Sequence, residues 1–311
     1  SKFKRGNIND LILEKANPNN NELLGFGEVQ VKVHAIGTNF RDVLNVLGMY
    51  PGDPGFPGGD FAGEIVKIGS SVKNEYKIGD HVFGIGFGSF KTYVETTTKH
   101  ISLIPEEYQM SEAASFPILL TTVHECLINC SNIQPGKTVL VHAGTGGIGL
   151  TAIQYCKKMG CTVIATAGAD FKQKYLKEMG IEKVFSSRDY ELFKKQLGNT
   201  KVDVVLNSLS GDFITTSVKA LKPDGHFCEI GKRNILSHDE FMEIRKDVHY
   251  HIVAIDTMME NNPDQYQELF HDSIQMNLDP VPCTKFQFNN LKDGFRYMQQ
   301  GKHIGKVIIE Q

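Results

Sequence analysis

Between Lys137 and Gly231 the sequence alternates short apolar runs with stretches of helical spacing, and this alternation constrains the fold more than any other feature. The runs TVLVH (138–142), CTVIATA (161–167), KVDVVLNS (201–208) and GHFCEIG (225–231) read as buried strands, and GGIGLTAIQYCKKMG (146–160) as a helix closed by Gly160. Alternation of this kind implies a parallel sheet covered on both faces. Directly after the first strand, Gly144, Gly146 and Gly149 set out G-x-G-x-x-G at the start of the helix. There the glycines permit a tight turn and the close approach of a pyrophosphate, while the helix N-terminus offers free N–H groups. Gly144, Thr145, Gly146, Gly147, Ile148 and Gly149 are expected to hold a dinucleotide, against the plainer reading of a turn that only packs helix on sheet.

The flanks differ. GEVQVKVHAIG places Val29, Val31, Val33 and Ala35 on one face, the period-2 mark of a half-buried strand. FAGEIVKIG and GDHVFGIGFGSFKTYVE continue in that manner, and prolines 51, 54 and 57 among glycines make 51–59 a loop. SEAASFPILLTTVHECL looks helical, with Pro117 expected to break or kink it. NPNNNE (17–22) reads as a short polar loop. Near the end, Leu291, Phe295 and Met298 recur at helical spacing and GKVIIEQ closes the chain as a strand. The expected layout is α/β, with a β-rich domain of residues 1–117 and 259–311 and a parallel-sheet nucleotide domain of 118–258.

Composition narrows the partners. The chain has 311 residues, 41% hydrophobic and 22% charged, with a formal net charge of −3. A substantial core follows, and the lack of a long basic run argues against nucleic acid or an anionic membrane surface. No uninterrupted apolar segment approaches the roughly 20 residues of a membrane span. Six scattered cysteines in a chain this large favour reduced thiols and a cytoplasmic setting over a disulfide framework. Cys126 and Cys130 lie four apart, but no second pair or suitably spaced His completes a zinc site. The chain opens on Ser1, which suggests a processed chain or a piece of something longer.

A site for NAD normally ends its second strand with an acid for the ribose 2′-hydroxyl. Here the strand ends TAGAD, small until Asp170, with Lys172 close behind and Arg188 after the next strand. Either cation suits a 2′-phosphate, so NADPH is the expected cofactor; the competing reading makes both solvated surface charges.

Several stretches resemble the enoyl reductase domains of type I polyketide synthases and animal-type fatty acid synthases, within the medium-chain dehydrogenase/reductase superfamily. They are TNFRDVLNVLGMYPG (38–52), VLVHAGTGGIG (139–149), VLNSLSGDFI (205–214), CEIGKRNI (228–235) and FRYMQQGKHIGKV (295–307). The resemblance covers nearly the whole chain, and NSLSGDFI and FRYMQQGKHIGKV are its most specific pieces. It implies a GroES-like substrate domain joined to a Rossmann domain. It further implies NADPH-dependent reduction of a trans-2-enoyl thioester carried on an acyl carrier protein, among the neighbouring domains of a megasynthase and with a homodimer formed through the parent synthase. Zinc-dependent members of the superfamily carry Gly-His-Glu where this sequence has PGGDFAGE (57–64); Gly59 and Asp60 stand in place of His and Glu, so no metal is expected.

The resemblance also implies site residues. Hydride transfer to the β-carbon leaves charge on the thioester oxygen and an α-carbon awaiting a proton. Tyr50, Lys232 and Asp256 are the candidates for that work, with Asp256 able to pair with Lys232. A Tyr at this loop position is associated in the family with the stereochemistry of α-protonation. Asn39 and Asp42 match positions near the nicotinamide or the active-site floor, and Asn207, Ser208 and Gly231 stand at strand ends along the cofactor. Lys306 is a further cofactor candidate, its competing reading a surface lysine. His124 and His142 read as structural, and His124 stands where the family often has an aromatic. Two rivals remain open: a stand-alone zinc-free NADPH quinone or enone oxidoreductase, and a non-catalytic NADPH-binding protein.

Overall fold

The computed structural model describes residues 5–14, 23–72 and 75–311, so the polar stretch 17–22 lies outside the described residues. The chain divides into two compact units, one of Ser1–Leu119, Asp256–Asp272 and Asp279–Gln311, the other of Leu120–Ile255 and Ser273–Leu278.

The first unit is built on β1 (Glu28–Thr38), whose alternation buries Val29, Val31, Val33 and Ala35 at 2% exposure or less. Helix α1 (Phe40–Val46) follows, then β2 (Asp60–Ile68), β3 (His81–Ile85), β4 (Tyr93–Thr97) and β5 (Ile101–Leu103). β1 pairs antiparallel with β2 along its length, with register shifts at Gln30/Val31 and Val33/Ala35. Such shifts bend a strand and raise its twist. The other edge of β1 is shared: residues 28–32 pair with β4 and residues 35–38 with the last strand of the chain.

The stretch that Pro117 was expected to interrupt forms α2 (Met110–Ala113), a turn, and α3 (Pro117–His124), with Glu125–Cys130 continuing as a wider helical turn. Pro117 starts α3 because the first helical position needs no N–H. Met110–Cys130 as a whole is long and apolar enough to span a bilayer, which contiguous apolar residues alone do not reveal. Its most apolar window is 72% buried in the protein, the mark of a core helix.

The second unit alternates β6 (Thr138–Val141), α4 (Gly147–Lys158), β7 (Thr162–Ala167), α5 (Asp170–Glu178), β8 (Lys183–Ser186), α6 (Tyr190–Leu197), β9 (Val202–Asn207), α7 (Asp212–Ala220), β10 (Leu221–Glu229), α8 (His238–Ile244) and β11 (His249–Ile252). All neighbours are parallel, in the order β11-β10-β9-β6-β7-β8. The order reverses between β6 and β9, and open parallel sheets bind ligands beyond the strand ends at such a reversal. β11 stops at Ile252. α9 (Ile255–Asn261) starts there, with Asp256 in its first turn, where a carboxylate favours the helix dipole.

α10 (Pro263–Ile274), β12 (Cys283–Gln287), α11 (Leu291–Gln299) and β13 (Lys306–Glu310) complete the chain. β13 pairs antiparallel with β1 and parallel with β12, which returns the C-terminus to the first unit's sheet. Leu291, Phe295 and Met298 of α11 are buried in that unit's core with Val29, Val31 and Phe61.

Candidate functional site

In the second unit the glycine loop occupies the reversal point, immediately after β6. α4 starts at Gly147 with Gly146 as its N-cap, and no side chain caps it. The first N–H groups of a helix have no partner within it, which leaves them for a ligand. Two of the three glycines are required by the protein's own packing. A Cβ on Gly144 would stand 2.9 Å from the Ala165 Cβ, and one on Gly149 2.6 Å from the Ala143 carbonyl oxygen. A Cβ on Gly146 would meet only that same oxygen, at 3.4 Å, so the protein leaves this side open. That space beside free N–H groups fits the pyrophosphate of a dinucleotide. Thr145 is buried, and Gly147 and Ile148 are half-buried in the first turn.

Lys172 and Arg188, sixteen positions apart in sequence, come close together. Burial and then the Arg188 charge hold the Lys172 amine below its ordinary pKa. Gly168 makes this possible, since a Cβ there would lie 2.6 Å from Arg188 Nε. Two cations crowded in this way gain from an anion between them. On the other side of the reversal, Asn207 ends β9 fully buried, its Nδ2 donating to the Leu209 carbonyl at 2.9 Å and to Glu229 Oε2 at 2.7 Å. Ser208 is exposed, and Gly231 and Lys232 follow β10 half-buried.

In the first unit, Tyr50 donates to Asp256 Oδ2 at 2.7 Å. Burial and then the hydrogen bond to Asp256 push the phenol above its ordinary pKa, so it is protonated at neutral pH. Arg41 joins the pair: its Nε reaches Asp256 Oδ2 at 3.3 Å, its Nη2 donates to the Pro54 carbonyl at 3.3 Å, and its guanidinium lies 5.0 Å from the Tyr50 ring centroid. Tyr50, Arg41 and Asp256 lie in the first unit, and Lys232 lies in the second. Nothing local in TNFRDVLNVLGMYPG singles out Arg41, whose partner lies 215 positions away.

Asp42 is 1% exposed and both its oxygens are used locally, Oδ2 by the Asn39 N–H and Oδ1 by the Gly58 N–H, each at 2.8 Å. It holds the start of α1 to the glycine loop before β2. Lys306 is 3% exposed, which excludes the surface-lysine reading. Its amine donates to Asp60 Oδ2 at 2.8 Å and to Asn39 Oδ1 at 2.5 Å, and Asn39 Nδ2 donates to the same Asp60 oxygen at 3.0 Å. The remaining Asp60 oxygen accepts from the Ile118 N–H at 3.1 Å. Among the described residues no group of three or more His, Cys, Asp or Glu side chains is arranged to hold a metal.

The two histidines read as structural lie in the second unit. His142 is buried between Thr166 Oγ1 at 3.3 Å and Ser217 Oγ at 2.9 Å, and His124 ends α3 at 8% exposure. Cys126 is buried and Cys130 half-buried, and all six cysteines are free thiols.

Residues 25–106 match the family model of the alcohol dehydrogenase GroES-like domain, and residues 147–275 that of the zinc-binding dehydrogenases. The sequence is 34% identical over 315 residues to the mycoketide-CoA synthase of Mycobacterium tuberculosis, an alignment covering 98% of this chain and 7% of that protein. The chain thus spans a small part of the curated relatives it matches, which are large synthases. The structure is similar to the crystal structure of CurK enoyl reductase, with a TM-score of 0.89, 32% identity and coverage of 99% of this chain and 97% of that one. A mycobacterial protein solved with NADPH shares the fold at 22% identity, with a TM-score of 0.83 over 99% of this chain and 98% of that one.

Proposed function

Because this chain belongs to the medium-chain dehydrogenase/reductase family, as an oxidoreductase of its polyketide-synthase enoyl reductase branch, we propose that it reduces the α,β double bond of a trans-2-enoyl thioester with NADPH. The thioester is carried on an acyl carrier protein of a parent synthase. The observation that carries this reading is the Tyr50–Asp256–Arg41 group, a protonated phenol held by a carboxylate with a cation over its ring.

When bound, the nicotinamide supplies the hydride that goes to the β-carbon. The protein's own work is to bind, orient and protonate. The glycine loop and the α4 N-terminus take the pyrophosphate, and Lys172 with Arg188 takes the 2′-phosphate that separates NADPH from NADH. Asn207, Ser208 and Gly231 line the strand ends beside it. Asn39 and Asp42 hold the floor, with Lys306 locked beneath through Asp60.

Tyr50 keeps its proton at neutral pH and can give it to the α-carbon once its O–H turns away from Asp256. The phenolate left behind faces Arg41, whose charge offsets it. Lys232, at the end of β10, is the alternative donor and a partner for the thioester oxygen. No metal enters this scheme: Gly59 cannot ligate, and the Asp60 oxygens are engaged by Lys306, Asn39 and the Ile118 N–H.

The test is oxidation of NADPH, followed by nicotinamide absorbance, with crotonyl-CoA or crotonyl-pantetheine beside NADH and a naphthoquinone. Thioester-dependent oxidation of NADPH is the expected result. Turnover with the quinone alone would overturn the thioester and carrier protein in favour of a free-standing quinone reductase. NADPH binding without turnover on any acceptor would favour a non-catalytic role.

A further inference from the structure

Glu229 ends β10 and is 1% exposed. Its two oxygens serve two different strand ends. Oε2 accepts from Nδ2 of Asn207, the last residue of β9, and Oε1 accepts from the N–H of Gly231, each at 2.7 Å. The Asn207 carbonyl in turn accepts from the Ile230 N–H at 2.9 Å. The loops leaving β9 and β10, one opening on Ser208 and the other on Lys232, are therefore held by one side chain. Gly231 must be glycine for this, since a Cβ there would lie 2.7 Å from Glu229 Oε1.

The geometry favours the ionised form. Both oxygens accept from N–H donors, and an ionised carboxylate is acceptor-only. A proton on either oxygen removes the charge that strengthens both bonds, so the neutral acid holds the two N–H groups more weakly. We propose that Glu229 is a positioning residue for the nicotinamide cofactor, and that cofactor binding weakens in acid because the ionised carboxylate ties the ends of β9 and β10 together more firmly than the neutral acid does. This rests on the glycine loop holding a nicotinamide dinucleotide.

Burial pushes the Glu229 carboxyl up to about 7, against the lowering effect of the Gly231 N–H and the Asn207 amide. The tie is therefore strengthened and weakened around neutrality. Cys126, on Glu125–Cys130, and Tyr250, on β11, also act on this carboxyl's field. Burial raises both above their ordinary values, so they stay neutral over the same range. The hydrogen bond to Cys126, and then burial, raise the thiol of Cys228, next to Glu229 on β10. The nearby cations in sequence are Lys232 and Arg233 on the following loop. On β11, His251 pairs in register with Cys228 and stacks on His226.

The experiment compares the dissociation constants of NADPH and NADH for the wild type and Glu229→Gln across neutral pH. NADH lacks the 2′-phosphate, which titrates in this range itself. If only the ionised form binds, wild-type affinity for both cofactors drops by up to about tenfold between about pH 8 and about pH 6. Gln keeps one acceptor and turns an N–H toward the other donor, so the variant should bind weakly and with a flat profile. Parallel pH profiles for the two proteins would overturn the proposal while leaving the cofactor reading intact. Failure of the wild type to bind either cofactor at any pH would overturn both. Should Glu229→Gln not fold, proton release on NADH binding to the wild type, measured by calorimetry in two buffers near neutrality, decides instead. Release is expected, and its absence overturns the proposal.

Discussion

Tyr50 and Asp256, separated by 206 positions in sequence, share a 2.7 Å hydrogen bond from the phenolic O–H to the carboxylate, and Arg41 braces both. Each of the three depends on the others. Asp256 aims the hydroxyl and disfavours its ionisation, while Arg41 favours the phenolate.

Arg41→Ala should lower kcat on crotonyl-CoA by about 10- to 100-fold, the worth of a charge-assisted hydrogen bond of about 1.5–3 kcal/mol. Arg41→Lys should restore part of it, and NADPH affinity should not change. Tyr50→Phe should leave more turnover but scramble the α-configuration of the product from a 2-methyl enoyl thioester. A Phe variant that keeps full stereochemical control would remove Tyr50 as the donor.

The Lys306–Asp60 pair is buried at both ends, with side-chain exposures of 4% and 1%. Removing one partner strands a charge, which typically costs about 3–5 kcal/mol. Lys306→Met should therefore move the urea midpoint sharply down, and Asp60→Asn in the same chain should recover part of the loss. A single variant as stable as the wild type would mean that the pair is screened by water. Dialysis against a chelator should leave turnover intact.

Lys172 and Arg188 are expected to separate NADPH from NADH. Lys172→Ala should weaken NADPH about tenfold or more while leaving NADH unchanged, in line with one charge-assisted bond lost. Gly168→Ala should act in the same direction, because its Cβ would stand 2.6 Å from Arg188 Nε and displace that side chain. Equal losses for both cofactors would point to a damaged fold instead of a lost phosphate contact.

His142 gives the acid side of the stability profile a defined origin. Burial depresses its pKa from 6.5 to about 3, so the unfolded chain takes up a proton that the folded chain refuses. Its contribution is whole above pH 6.5 and is lost as the pH falls toward 3. At its full extent the effect is about 5 kcal/mol. Glu229 runs the opposite way, since its folded value of about 7 lies above the ordinary 4.5, and stability falls as pH rises through that window. Denaturation midpoints measured against pH should flatten on the acid side in His142→Gln. An unchanged acid slope would show that His142 is hydrated in the folded state.

What depends on neighbours a few residues apart was legible in the chain before any fold was known. The alternation of Val29, Val31 and Val33, the helical spacing of Leu291, Phe295 and Met298, and the glycine loop between a strand and a helix are all local patterns. A period of 2 or 3.6 selects the buried face without reference to the rest of the chain. Even Pro117, expected to interrupt a helix, obeyed a local rule once its position was seen to be the first of a new one. What each charge faces was set by the folded molecule alone. Arg41 meets Asp256 across 215 positions and Lys306 meets Asp60 across 246, while Glu229 joins Asn207 on a neighbouring strand. A lone Arg, Lys or Glu in sequence reads as solvated, because burying a charge is unfavourable until a partner arrives to compensate it. Only the folded sheets bring those partners within 3.3 Å, and with them the chemistry of the site.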